Sequence, residues 1–251
     1  PKDLKSQQRV ALVRADLHLA RGEWPQLQAV LESGQWNEAE FLRHALLARA
    51  LREQRQTMSS TAEWLAATRA VAGQPKQISI LARMAGAWKW SDEEQELLWL
   101  LTERHPGERW APTRLNEIFF SAGDTRGLNR LYNVLYSQTP ENLALKNNLA
   151  VTTLLLTPQS VRAHELAREL HQQNPTNAIF ASGARRNDRK NARVRASAGA
   201  GTRGRRASSR ERREGFVATV RRAGCSCAVL EVEDQLHDGT WTDEEKQLQK
   251  W

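Results

Sequence analysis

Four of the eight prolines in this 251-residue chain, Pro75, Pro106, Pro140 and Pro175, stand 31, 34 and 35 residues apart. Each follows a stretch in which apolar residues recur three and four apart, and each is followed by another such stretch. Proline has no N–H to give a helix interior, so it can end one helix and open the next. A near-constant interval of this length marks a repeated helix pair, a unit too small to bury its apolar face alone. From about Leu4 to Ala181 the chain is dominated by Leu, Ala, Glu, Gln and Arg, with few β-branched runs. Ser60 with Glu63, and Ser91 with Glu94, have capping-box spacing and predict helix starts. Thr157 before Pro158 predicts a third. Breaks are expected near Gly34, Gly73, Gly86, Gly123 and Pro140, leaving helices of roughly 10 to 18 residues. The nine tryptophans, against two tyrosines, fit large wedges between helices.

Within the units the pattern resembles the tetratricopeptide repeat family over residues 36–181. The unit closed by Pro140 has Leu115 in the Leu place, Phe119 in the aromatic place and Gly123 at the turn, with Asn116 where a small residue is usual. The next has Leu149-Ala150, Ala163 and a closing Pro175. The unit from Pro75 offers Leu81, Met84-Ala85 and Trp88, about three residues short. Before it, Leu42, Leu46, Leu47 and Ala50 are expected to face Ala62, Leu65, Ala66 and Arg69, and Pro1 to Gly34 adds two more helices. The resemblance implies an all-α, right-handed α-solenoid of antiparallel helix pairs over residues 1–182, about five pairs in all. It further implies a concave groove lined by the first helix of each unit, accepting an extended peptide or a helix. Carried over position by position, the partner-binding residues are Arg83 and Lys89, then Trp110, Thr113, Arg114 and Glu117, then Asn147 and Val151. Arg83, Lys89, Arg114 and Asn147 would hold a partner carboxylate, and Trp110 would be an aromatic anchor.

Catalytic constellations are missing from the sequence. It has no phosphate-binding glycine loop, no His-Glu-x-x-His motif and no Gly-x-Ser-x-Gly elbow. His164, Glu165 and His171 share one expected helix and read as solvated residues. The expectation is a protein that is not an enzyme and uses no cofactor or metal. The longest uncharged stretch, Asn147 to Val161, is too short to span a bilayer. The chain as given therefore fits a cytoplasmic protein. Its opening on Pro1 points to a fragment or processed form, which leaves a signal or anchor upstream open.

The formal charge of +8 is concentrated in one place. Between Ala184 and Arg222 there are 13 Arg and one Lys against Asp188, Glu211 and Glu214, a local charge of +11, so the remainder sums to −3. Residues 183–240 carry few large apolar side chains and are expected to be poorly structured. Phe216 to Val220 and Cys227 to Val232 have strand character without the partners a stable sheet needs. Cys225 and Cys227 make neither a full metal site nor an unstrained disulfide. Three readings of the segment stand side by side. It is a tail binding RNA, DNA or an acidic partner through Arg203, Arg205, Arg206, Arg210, Arg212 and Arg213; or an inert linker; or the product of a shifted reading frame. Thr242 to Glu245 is again a capping box, opening a short terminal helix over 241–251.

Overall fold

The computed structural model describes residues 2–33 and 36–173, and among them the only regular structure is helical. Ten α-helices follow one another: α1 (Lys2–Arg21), α2 (Trp24–Ser33), α3 (Glu40–Glu53), α4 (Thr57–Ala70), α5 (Pro75–Ala87), α6 (Ser91–Arg104), α7 (Trp110–Ala122), α8 (Thr125–Gln138), α9 (Leu143–Leu156) and α10 (Val161–Gln173). A short 3-10 turn, Asn37–Ala39, leads into α3. The chain divides into two compact units, α1–α6 ending at His105 and α7–α10 opening at Pro106. In the first unit α1 packs on α2, α2 on α3, α3 on α4 and α5 on α6, and in the second α7 packs on α8, α8 on α9 and α9 on α10. The architecture is a repeat-like succession of helical hairpins.

The hairpins are copies of one another, which is clearest at their reversals. Gly22, Arg55, Lys89 and Gly123 all have left-handed backbone, with φ between +62° and +71°, and stand 33, 34 and 34 residues apart. At each, the N–H of the left-handed residue bonds a carbonyl three back, and the next N–H bonds one five back: Lys89 to Gly86 at 3.1 Å and Trp90 to Ala85 at 2.9 Å, for example. Four reversals thus use one helix-ending motif, which returns the stray carbonyls of the last turn to hydrogen bonds. The fifth hairpin departs from it. Thr157 and Ser160 bond to Thr153 and Thr157, and α10 starts only at Val161.

Glycine is the usual occupant of that left-handed place, because a Cβ collides with the following carbonyl there. Arg55 and Lys89 therefore sit under backbone strain. Lys89→Gly is expected to raise stability by about 0.5–1 kcal/mol, the relief of strain outweighing the entropy of a glycine in the unfolded chain. A rise in the urea midpoint at unchanged slope is the readout; a fall would show that the Lys89 side chain holds the turn.

Burial repeats with the same period. Leu47, Leu81, Leu115 and Leu149 lie 34 residues apart, all buried, and each is followed by a buried smaller residue: Ala48, Ala82, Asn116 and Ala150. On the second helices Trp64, Leu98 and Tyr132 recur at the same interval and are also buried. The small residue lets the paired helix come close. In the second hairpin, α3/α4, the Ser60 hydroxyl donates to the Ala48 carbonyl at 2.7 Å. In the fourth, α7/α8, Asn116 fills the small place and accepts a 2.6 Å hydrogen bond from the Tyr132 hydroxyl, so a larger polar side chain is tolerated because its partner comes from the facing helix.

Several sequence expectations need correction. The Pro75 unit is not short: its Leu-small pair is Leu81-Ala82, three residues earlier than Met84-Ala85. Gly86 lies inside α5 and not at a break; the break falls at Trp88–Trp90. Ser60 is inside α4, whose first residue is Thr57, and its hydroxyl serves interhelical packing. Ser91 is the first residue of α6, with Trp90 before it and no side-chain cap. Thr157 ends α9, and the Ser160 hydroxyl lies before α10, accepting from the Ala163 N–H at 3.4 Å. Actual side-chain caps stand at Asp124 before α8 and Asn142 before α9. The face of α4 turned inward is Ser60, Trp64 and Ala67, while Ala62, Leu65 and Arg69 are exposed. Pro175, the Arg-rich stretch 183–240 and the expected terminal helix 241–251 lie outside the described residues.

Candidate functional site: first-helix surfaces and a tryptophan–arginine cluster

Five positions carry the sequence-based groove. Arg83 is exposed on α5. Lys89 is exposed too, but in the left-handed place of the α5–α6 reversal and not on the first helix itself. Trp110 opens α7 and donates its ring N–H to the Glu108 carboxylate at 3.2 Å. Arg114, on the same helix, pairs with Glu117 one turn on at 3.0 Å. That pair is over two-fifths exposed on both sides, so its carboxylate is readily exchanged for another. Thr113 bonds its own helix through the Arg109 carbonyl. Asn147, at 4% exposed, has almost no surface to present, and Val151 is also buried. Arg83 and Lys89 belong to the first unit, and Trp110, Arg114 and Asn147 to the second.

Asn147 is buried because α9 is packed on from both of its sequence neighbours. Asn129 of α8 donates to the Thr152 and Thr153 hydroxyls at 3.1 and 2.8 Å. Lys146 reaches across to Glu169 of α10 at 2.6 Å. The lysine stem is buried while Glu169 is half exposed, so the ammonium is carried out to the rim. Lys146, Thr152 and Thr153 of α9 thus engage neighbouring helices.

A different constellation assembles in the first unit, at the ends of three hairpins. Trp64 of α4 and the two tryptophans of the α5–α6 reversal, Trp88 and Trp90, meet edge to face with ring centres 5.0 to 6.4 Å apart. Edge-to-face contact sets the positive rim of one ring on the negative face of another. Two arginines one turn apart on α3 close over them. Arg52 lies 3.6 Å from the Trp90 ring centre and pairs with Glu93 of α6. Arg49 lies 5.7 to 5.9 Å from Trp24, Trp88 and Trp90 and pairs with Glu53 at 2.9 Å. Trp64 and Trp90 are buried, whereas Trp24, Trp88 and both arginines keep part of their surface in solvent. The two hairpins α3/α4 and α5/α6 are therefore joined by aromatic and charged side chains.

The sequence carried a signal for this cluster that a groove-based reading passes over. Trp88 and Trp90 flank the left-handed residue, and Arg49 and Arg52 stand on one face near the preceding reversal. Elements that reverse at the same period bring their reversals side by side. No protein-family model matches the chain, and no curated protein matches it in sequence. No helix among the described residues is long and apolar enough to cross a membrane.

Proposed function

We propose that the chain is a non-enzymatic interaction scaffold of the tetratricopeptide kind, holding a polypeptide partner on the first helices of its repeats. The observation that carries this reading is the recurrence of one hairpin, with the same reversal and the same buried Leu-small pair, at a 34-residue period. Repeats of this kind present first-helix side chains to solvent, and in this chain Arg83 does so in the first unit and Arg114 in the second. Cations so placed recognise a partner's carboxylates, and half-exposed aromatic and arginine side chains are the residue types that dominate protein interfaces.

A photo-crosslinking amino acid at Ala87, one turn after Arg83, or at Thr113, beside Arg114, in the full chain in cells, tests the reading. The expected product is a crosslinked polypeptide, the same from both positions, that disappears in the Arg83→Glu and Arg114→Glu variants. Crosslinking that is insensitive to those changes would overturn it. So would binding to nucleic acid that weakens steeply with salt and is abolished by deleting 184–222, which would assign function to the Arg-rich segment through Arg203, Arg205, Arg206, Arg210, Arg212 and Arg213.

A further inference from the structure

Helix α1 has an apolar stripe on the side turned away from its buried Ala15. Val10, Val13, Leu17 and Ala20, spaced three, four and three residues apart, are all exposed, with Val13 at 69% and Leu17 at 45%. This is the a/d spacing of a helix–helix seam, and it is sustained over three turns. Its borders are charged. Arg14 and Arg21 run along one edge, Arg9 and Asp16 along the other, all exposed, so the rim carries an excess of positive charge.

The hairpin register says what such a stripe is for. Leu17 and Val13 lie five and nine residues before the left-handed Gly22. Five and nine residues before the left-handed Arg55 stand Ala50 and Leu46, which are 0% and 4% exposed. Helix α3, which carries them, packs on the preceding second helix α2, with Gln54 donating to Gln28 at 3.0 Å. The stripe on α1 is therefore in the place that, one hairpin later, lies against a second helix, and it has the apolar residues to do the same.

We infer that α1 docks an amphipathic helix from another polypeptide segment, one with an apolar seam bordered by acidic residues. Apolar burial along Val10, Val13, Leu17 and Ala20 supplies attraction, and the edge carrying Arg14 and Arg21 selects the charge of the partner. A second copy of this chain is the poorer occupant, because an antiparallel α1 would set Arg14 and Arg21 against their own counterparts. The stripe lies on α1, while Arg83 and Arg114 lie on α5 and α7, so this inference is tested without them.

The test uses the full chain and two synthetic three-heptad peptides, both with Leu at a and d, one with Glu and one with Lys at e and g. Fluorescence titration at low ionic strength is expected to show the Glu peptide binding at least about tenfold tighter than the Lys peptide. Val13→Asp and Leu17→Asp are expected to weaken the Glu peptide by about tenfold or more. Helix content should be unchanged, since both side chains are exposed. Joint Arg14→Glu and Arg21→Glu substitution is expected to reverse the preference between the peptides, and Arg69→Glu, at an exposed position on α4, to leave it as it was. Equal binding of the two peptides, or no binding, overturns the inference. Glu-peptide binding that survives Val13→Asp and is lost on deleting 184–222 overturns it in favour of the Arg-rich segment. A concentration-dependent dimer abolished by Val13→Asp would give the stripe to a second copy instead.

Discussion

Trp90→Ala is expected to destabilise the first unit by about 4 kcal/mol, a large fraction of what holds a unit of this size together. The indole is only 5% exposed and sits between Trp64 and Trp88 with the Arg52 guanidinium on its face. Removing a buried indole forfeits its transfer free energy and leaves a cavity, in the range of about 3–5 kcal/mol. The ring contacts lie at the upper end of that range, since two edge-to-face pairs contribute about 0.5–1.5 kcal/mol each. The backbone bond from Trp90 to Ala85 is untouched by the substitution, so the loss reports side-chain packing. Urea unfolding gives the magnitude, and amide exchange should place it in α3–α6. Trp88→Ala, at a half-buried position, should cost less than half as much. Equal losses would mean that the cluster acts as a surface patch and not as a wedge.

Leu115→Ala is expected to cost about 3 kcal/mol, and Leu81→Ala the same within error, because both fill the same place in successive hairpins and neither side chain reaches solvent. Leu65→Ala is the control: nearly half exposed on the outer side of α4, it should stay within about 0.5 kcal/mol of the parent. A Leu65 loss comparable with that of Leu115 would restore the inward face expected from the sequence. Near-zero loss at Leu81 would break the 34-residue register instead.

Helices and their pairing were legible in the sequence because both depend on local patterns. Apolar residues three and four apart and the proline interval locate the hairpins to within a few residues. Capping was less legible. Ser60 matches a capping box yet spends its hydroxyl on Ala48, since a serine facing a neighbouring helix at short range serves packing as well as a cap does. The small place in α5 was misplaced by one turn because Leu81-Ala82 and Met84-Ala85 are both apolar-small pairs, and only the reversal at Lys89 fixes which one is in phase. Reversals at Arg55 and Lys89 were hidden for the same reason: a left-handed residue is announced by glycine, and two of the four are not glycine.

Surface exposure at the candidate positions was legible in part. Arg83 and Arg114 are at the surface as a first-helix reading requires. Asn147 is not, because α9 is enclosed by α8 and α10, and enclosure depends on residues that a position-by-position transfer does not weigh. The tryptophan–arginine cluster draws on residues from Trp24 to Glu93, so no local window contains it.

The longer reversal at Thr157–Ser160 has a consequence for anyone recombining these hairpins. In the earlier second helices Ser60, Glu94 and Leu128 are buried at 34-residue steps, whereas the first buried residue of α10 is Ala163, a step of 35. One added residue turns a helix by about 100°. Crossovers placed at Thr57, Ser91 or Thr125 would preserve phase in a chimera, but a crossover at Val161 would present the wrong side of α10 unless one residue were added ahead of it.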